Sequence, residues 1–314
     1  MLNDTANSIN SRLDRARGSI LGLVTGDALG STVEFTSPEQ IKARYGPAGQ
    51  TEMRGGGPFN WAVGDYTDDG QMMFCLLESL VETNRQKLSG LDVADLGRRF
   101  MDWYDSSPAD MGITTRQALA RLKNGVSASL SGDTDPNNQA NGAVMRCSPV
   151  AVLWHSPTRR SELVRDSLLS ATPTHRSAIA AGACVVANVM IAELINGSTF
   201  ETALVQTKAS AGPEWQTELA KWENEGRPYR GNTGWALSTV LTALHCINTT
   251  RTFEEAVIKA VNGGSDADTV GAVTGEIAGA LYGLSVIPDR WLKVLKDREK
   301  FVNLAAQLFQ LGEI

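Results

Sequence analysis

The stretch Asp266-Ala-Asp-Thr-Val-Gly-Ala-Val-Thr-Gly-Glu-Ile-Ala-Gly-Ala-Leu-Tyr-Gly283 carries glycine at every fourth position: 271, 275, 279 and 283. A four-residue period stacks those glycines along one face of a helix. Each glycine in a helix interior costs about 1 kcal/mol relative to alanine. Four in register need an offsetting gain, and close approach of another backbone is the natural one. The stretch therefore predicts a helix packed tightly against a neighbour.

Two segments could pass for membrane spans. Ser177 to Asn196 has one charge, Glu193, and Val270 to Ile287 has one, Glu276. Both are built on Ala and Gly and have little of the Leu, Ile and Phe that drive insertion. Mean hydropathy is −0.16. Both segments read as buried core helices.

The rest of the chain is also mostly helical in pattern. Apolar residues recur at helical spacing over Ser11 to Gly30, Gln71 to Thr83, Val93 to Tyr104 and Thr115 to Leu122. Ser161 to Leu169, Trp235 to Ile247, Phe253 to Val261 and Arg290 to Leu311 follow the same rule. Period-two alternation is scarce, so no substantial sheet is expected. Segments dense in Gly, Pro, Asn and Ser place loops at Thr36 to Gly64, Ser127 to Gly142 and Gly212 to Gly234. The fold class is all-α. With no linker or repeat in its 314 residues, the simplest organisation is one domain over residues 15–314 behind a flexible segment 1–14, with two helical halves as the alternative.

Composition narrows the function. Hydrophobic residues are 42% and charged residues 20%, enough for a core and too apolar for a disordered chain. Net charge is −6 with no basic run, which argues against nucleic acid or an anionic membrane as partner. The first residues carry early acid and no apolar core, so no signal peptide is expected. Cys75, Cys147, Cys184 and Cys246 are widely spaced and fit buried thiols in a reducing, cytoplasmic setting. Three histidines are too few for a His-rich site, so a metal would be held by oxygen.

Two acidic clusters stand nearly two hundred positions apart. Tyr66-Thr-Asp-Asp-Gly70 precedes one helix, and Asn262-Gly-Gly-Ser-Asp-Ala-Asp-Thr269 precedes the glycine-faced one. Asp and Thr there are favoured N-caps, and for either cluster alone capping is an even alternative. A cap needs one oxygen, and each cluster supplies two carboxylates and a hydroxyl. Four gathered carboxylates would repel and take up protons unless cations were present. All-oxygen ligation suits Mg²⁺ or Mn²⁺, and two such ions form a hydrolytic centre. Glu34, just past the first helix, would by itself be an ordinary loop glutamate.

Taken together and in order, Gly26-Asp-x-x-Gly30-x-x-x-Glu34, Gly64-x-x-Thr67-Asp68-Asp69, Asn141-Gly142-Ala-x-Met145-Arg146, Thr174-His175 and Asp266-x-Asp268-Thr269 resemble the ADP-ribosylglycohydrolases. The resemblance spans about Arg15 to Leu284 and includes relatives that act on ADP-ribosylarginine and on dinitrogenase reductase. It implies a compact all-helical fold with a binuclear Mg²⁺ or Mn²⁺ cleft. Thr67, Asp68, Asp69, Asp266, Asp268 and Thr269 match the metal ligands. Glu34 matches an acid that reaches the metals and the scissile sugar; with Asp69 and Asp268 it makes the expected catalytic set. Asn141 and Gly142 match a loop that cradles ribose and diphosphate, and His175 a residue near the same ligand. Trp235 matches an aromatic under the adenine, a structural core tryptophan being the alternative. Two positions depart from the pattern: Gly70 replaces a hydroxyl residue, and Ala140 a glycine.

The implied reaction is hydrolysis at C1″ of ADP-ribose attached to a protein side chain, with ADP-ribose as product. Arginine is the expected acceptor, because Arg54-Gly-Gly-Gly-Pro-Phe59 and Trp61 are similar to arginine-directed bacterial members. Serine linkages, poly-ADP-ribose and O-acetyl-ADP-ribose are alternatives on the same centre. A non-catalytic ADP-ribose binder or structural relative is another, as is an immunity protein that reverses a transferase toxin.

Overall fold

The computed structural model describes residues 2–85, 87 and 89–314, with side chains from residue 8 onward. Its helices in chain order are α1 (Leu2–Gly30), α2 (Pro38–Tyr45), α3 (Asp68–Asn84), α4 (Val93–Asp105) and α5 (Ile113–Lys123). Next come α6 (Ser148–Leu153), α7 (Arg160–Ala171), α8 (Ala178–Ile195), α9 (Phe200–Ser210) and α10 (Pro213–Asn224). The last five are α11 (Ala236–Asn248), α12 (Phe253–Val261), α13 (Ala267–Tyr282), α14 (Asp289–Leu292) and α15 (Arg298–Gly312). Among the described residues no strand forms; three isolated bridges are the nearest approach to one. The fold is all-α, as expected.

The partner of the glycine face is α1, which has a ladder of its own. Gly18, Gly22, Gly26 and Gly30 lie opposite Gly279, Gly275, Gly271 and Ala267, so the two helices run antiparallel with backbones in contact. A Cβ on Gly271 would sit 2.5 Å from the Gly26 carbonyl oxygen. Nothing larger than hydrogen fits. This pairing brings the C-terminal end of α1 against the N-terminal end of α13, and so sets Asp27 and Glu34 beside Asp266 and Asp268.

Helix α8 is long and apolar enough to cross a membrane, but 78% of it is buried inside the protein. It forms the hub against which α6, α7, α9, α11 and α13 pack. Glu276, mid-way along α13, is fully buried near Ser148. Desolvation holds its carboxyl well above the ordinary range. All four cysteines are unpaired.

Several boundaries differ from expectation. α1 begins at Leu2, not Ser11, and runs unbroken past residue 14. α3 begins at Asp68, three residues early, which puts both aspartates in its first turn. The expected helix Arg290 to Leu311 is interrupted. There Asp297 adopts φ 56° and accepts a hydrogen bond from the Tyr66 hydroxyl at 2.9 Å, and the Lys296 amide donates to the Gly64 carbonyl at 3.1 Å. Tertiary bonds to segment 64–66 replace helical ones. The expected loop Gly212 to Gly234 contains α10, which buries Trp215, Leu219 and Trp222. The expected loop Thr36 to Gly64 contains α2, started by a capping box between Ser37 and Gln40 but burying only Ile41.

Candidate active site

Eight stretches of chain converge on a cleft of about 600 Å³. Its base is built on two helix N-termini. In α3, Thr67 is the N-cap, its Oγ1 accepting from the Asp69 amide at 3.3 Å. Asp27 adds a second bracket, accepting from the amides of Thr67 at 3.0 Å and Gly70 at 2.9 Å. The orphan N–H groups are thus served from elsewhere. Asp68 and Asp69 keep their carboxylates for the cleft, which both line.

In α13, Asp266 occupies the N-cap position but makes no cap bond. It accepts instead from Asn141 Nδ2 at 2.6 Å. Asp268 and Thr269 follow in the first turn, and Thr269 Oγ1 donates to Asp69 Oδ1 at 3.4 Å, joining the two clusters. Capping therefore accounts for Thr67 and leaves four carboxylates unexplained by it.

Glu34 is held by its backbone neighbours. The Phe35 amide donates to Ser265 O at 2.7 Å, and the Ser265 amide donates to Thr36 O at 2.8 Å. Phe35 and Ser265 are both left-handed, with φ 57° and 53°, a cost tolerated where surrounding structure enforces it. The result keeps Glu34 next to Asp266.

Of the six expected ligands, Asp68, Asp69, Asp266, Asp268 and Thr269 line the cleft, and fully buried Thr67 lies behind them. Glu34, Asn141, Gly142 and His175 line it too. Trp235 does not. It is 50% exposed beside Gly234, a rim residue, and pairs with Ala140. It is not a core tryptophan.

The sequence reading missed Asp110. This residue sits in the short connection between α4 and α5. Asp110, Glu34 and Asp268 each offer a carboxylate oxygen, and the three lie within 4.8 Å of one another. No motif marks Asp110; only the folded cleft reveals it. Asp27 was part of a recognised motif, but its role as a bracket for α3 was not apparent.

Burial dominates the electrostatics. It pushes Glu34 up to about 9, with Asp110, Asp266 and Asp68 adding repulsion. Asp110 rises to about 6, chiefly by burial. Asp68, Asp69 and Asp268 are held well above the usual carboxylate range, first by desolvation and then by neighbouring carboxylates, foremost Asp110 for Asp68, Asp268 for Asp69 and Glu34 for Asp268. His175 is pushed down to about 3 by burial and by Arg146. Among the described residues Arg116, exposed at the mouth, is the one cationic side chain lining the cleft. Glu34 Oε2, Asp69 Oδ2 and Asp268 Oδ1 are buried without any hydrogen-bond donor among those residues. Buried acceptor oxygens lacking donors fit a divalent, oxygen-seeking cation.

The sequence model of the ADP-ribosylglycohydrolase family matches residues 8–313. The chain belongs to the ADP-ribosylglycohydrolase family. It is 34% identical over 309 residues to ADP-ribosylarginine hydrolase Tri1 of Serratia proteamaculans, covering 96% of this chain and 80% of that one. It is 35% identical over 285 residues to ADP-ribosyl-[dinitrogen reductase] glycohydrolase of Rhodospirillum rubrum, covering 90% of each. A solved structure described as an ADP-ribosylglycohydrolase-related protein complex superposes with a TM-score of 0.81 at 33% identity, over 96% of this chain and 99% of that one. The protein is a hydrolase of this family.

Within the ADP-ribosylglycohydrolase frame, the two departures have physical readings. A Cβ at Gly70 would lie 2.7 Å from the Tyr66 ring and 3.0 Å from Asp27 Oδ2, so the bracket on α3 leaves no room for a side chain. Ala140 lines the cleft while its backbone pairs with Trp235.

Proposed function

We propose that the protein is a metal-dependent hydrolase that removes ADP-ribose from modified protein side chains, with arginine as the preferred acceptor. The observation that carries this reading is the meeting of Glu34, Asp68, Asp69, Asp110, Asp266 and Asp268 in one cleft, three of them with orphaned oxygens. Relatives at about a third identity that are named for ADP-ribosylarginine and dinitrogen reductase support the substrate class.

Thr67, Asp68, Asp69, Asp266, Asp268 and Thr269 would hold two Mg²⁺ or Mn²⁺ ions. A pair of such ions supplies charge neutralisation and Lewis acidity toward sugar oxygens. Hydrolysis breaks the bond from C1″ to the side-chain nitrogen and forms one from C1″ to a water oxygen. Two protons move: one off the water, one onto the departing guanidine. Glu34 and Asp110 are the carboxyls placed to carry them, because both face Asp268 across less than 4.8 Å. Asp69 and Asp268 fix the geometry of the reacting centre. Asn141 and Gly142 cradle the ribose and diphosphate, with Asn141 already oriented by Asp266 and by Thr239 Oγ1 at 3.0 Å. The half-exposed Trp235 indole offers a stacking face for adenine at the rim. A guanidinium linkage also suits the acidic cleft better than a neutral hydroxyl linkage does. The unpaired cysteines support a reducing cytoplasm as its setting.

The test compares kcat/KM for ADP-ribose release from matched arginine- and serine-linked peptides at one metal concentration. Arginine should be favoured. A serine preference of about tenfold, roughly 1.4 kcal/mol at the transition state, would overturn the acceptor assignment and leave the hydrolase assignment in place.

A further inference from the structure

Arg146 is a buried guanidinium that forms no ion pair with a carboxylate among the described residues. It stacks on Phe100, 4.7 Å above the ring centroid. Its Nη1 donates to the Gly142 carbonyl and its Nη2 to Thr174 Oγ1 at 2.5 Å. Thr174 Oγ1 also lies 2.8 Å from His175 Nδ1.

Hydrogen accounting then decides the state of the imidazole. A guanidinium only donates, so Arg146 takes a lone pair of the Thr174 hydroxyl. That hydroxyl is fully buried, and His175 Nδ1 is the one acceptor within its reach among the described residues. Its single hydrogen therefore goes to Nδ1, which must accept, and the ring proton lies on Nε2. We propose that Arg146, acting through Thr174, is a positioning residue that fixes His175 as the Nε2–H tautomer and so presents the cleft with a permanent hydrogen-bond donor.

The surroundings fit this assignment. Nε2 makes no hydrogen bond to the protein among the described residues, and the ring lines the cleft. A Cβ on Gly142 would lie 2.8 Å from His175 Cε1 and 3.2 Å from Nε2, so glycine at 142 leaves the ring its space. Burial beside Arg146 keeps the ring neutral. A neutral Nε2–H ring is neither a general base nor a metal ligand at that nitrogen. It selects a ligand oxygen with a free lone pair, such as a phosphate or hydroxyl oxygen. Only that ligand class rests on the proposed function; the tautomer does not.

The experiment is two-bond ¹⁵N–¹H correlation spectroscopy on the full chain labelled with ¹⁵N-histidine, near pH 7. The His175 signal is assigned by its loss in His175→Gln. The wild type and Thr174→Ser should show Nε2 protonated and Nδ1 accepting, whereas Thr174→Val should show a mixture of tautomers. By calorimetry, Thr174→Val should weaken ADP-ribose binding roughly tenfold and Thr174→Ser much less. An Nδ1–H or imidazolium signature in the wild type overturns the proposal, as does an unchanged Nε2–H ring in folded Thr174→Val. If Thr174→Val does not fold, the wild-type and Thr174→Ser spectra decide. Because the spectra need no substrate, they stand apart from any failure of the hydrolase assignment.

Discussion

Gly26 and Gly271 face each other across the antiparallel α1–α13 pair so closely that a Cβ on Gly271 would lie 2.5 Å from the Gly26 carbonyl oxygen. One residue beyond Gly26 is Asp27, which brackets α3; three residues before Gly271 is Asp268. The same backbone contact that stabilises the core thus sets the spacing of the acids.

This contact predicts the sign of a substitution two turns away from the cleft. By helix propensity alone, Gly22→Ala would stabilise α1 by about 1 kcal/mol. Opposite Gly275 there is no room for the added methyl, and overpacking typically costs about 1–3 kcal/mol. Urea denaturation should show Gly22→Ala less stable than wild type, by up to about 2 kcal/mol. A variant as stable as wild type, or more so, would contradict the backbone-contact account.

Glu34→Gln and Asp110→Asn keep shape and lose the exchangeable proton. Each should lower kcat by about 10²–10⁴-fold, the usual contribution of a positioned acid or base. ADP-ribose affinity should stay within a few-fold of wild type. A collapse of affinity with kcat preserved would show that the carboxyl holds metal or structure and does not move protons.

Metal binding should depend on pH in a definite direction. Glu34, Asp68, Asp69 and Asp268 all have folded-state values raised above those of the unfolded chain, Glu34 to about 9. In the metal-free protein the native state therefore binds more protons than the unfolded chain from about pH 4 upward. These groups make no difference to stability below that range and subtract from it increasingly as pH rises toward 9. Divalent cations displace those protons, so the rise in Tm on adding Mn²⁺ to chelator-treated protein should be larger near pH 8 than near pH 5.5. A rise that is equal at both, or larger at the acid end, would contradict the assignment.

Periodicity and motif order carried much of this structure. The glycine repeat in α13 and the apolar stripe of α12 read correctly because tight packing and amphipathic burial leave their pattern in local sequence. α10 lies in a stretch whose glycines and prolines signal a loop, although Trp215, Leu219 and Trp222 keep helical spacing. α2 left almost no stripe, burying only Ile41. The break before α15 is held by Asp297 and Lys296 bonding to segment 64–66, more than two hundred residues away in sequence. Asp110 was illegible for the same reason. Its chemistry comes from facing Glu34 and Asp268, and nothing adjacent to it in sequence encodes that.

The central claim is that the gathered carboxylates work as a metal-dependent ADP-ribose-releasing centre. The most direct measurement is ADP-ribose release from an arginine-modified protein by chelator-treated enzyme, before and after Mg²⁺ or Mn²⁺ is restored, with folded Asp268→Asn alongside. The account predicts negligible release without metal, recovery on adding it back, and no recovery in Asp268→Asn. Full activity in the stripped wild type, or wild-type activity and metal occupancy in Asp268→Asn, would contradict it.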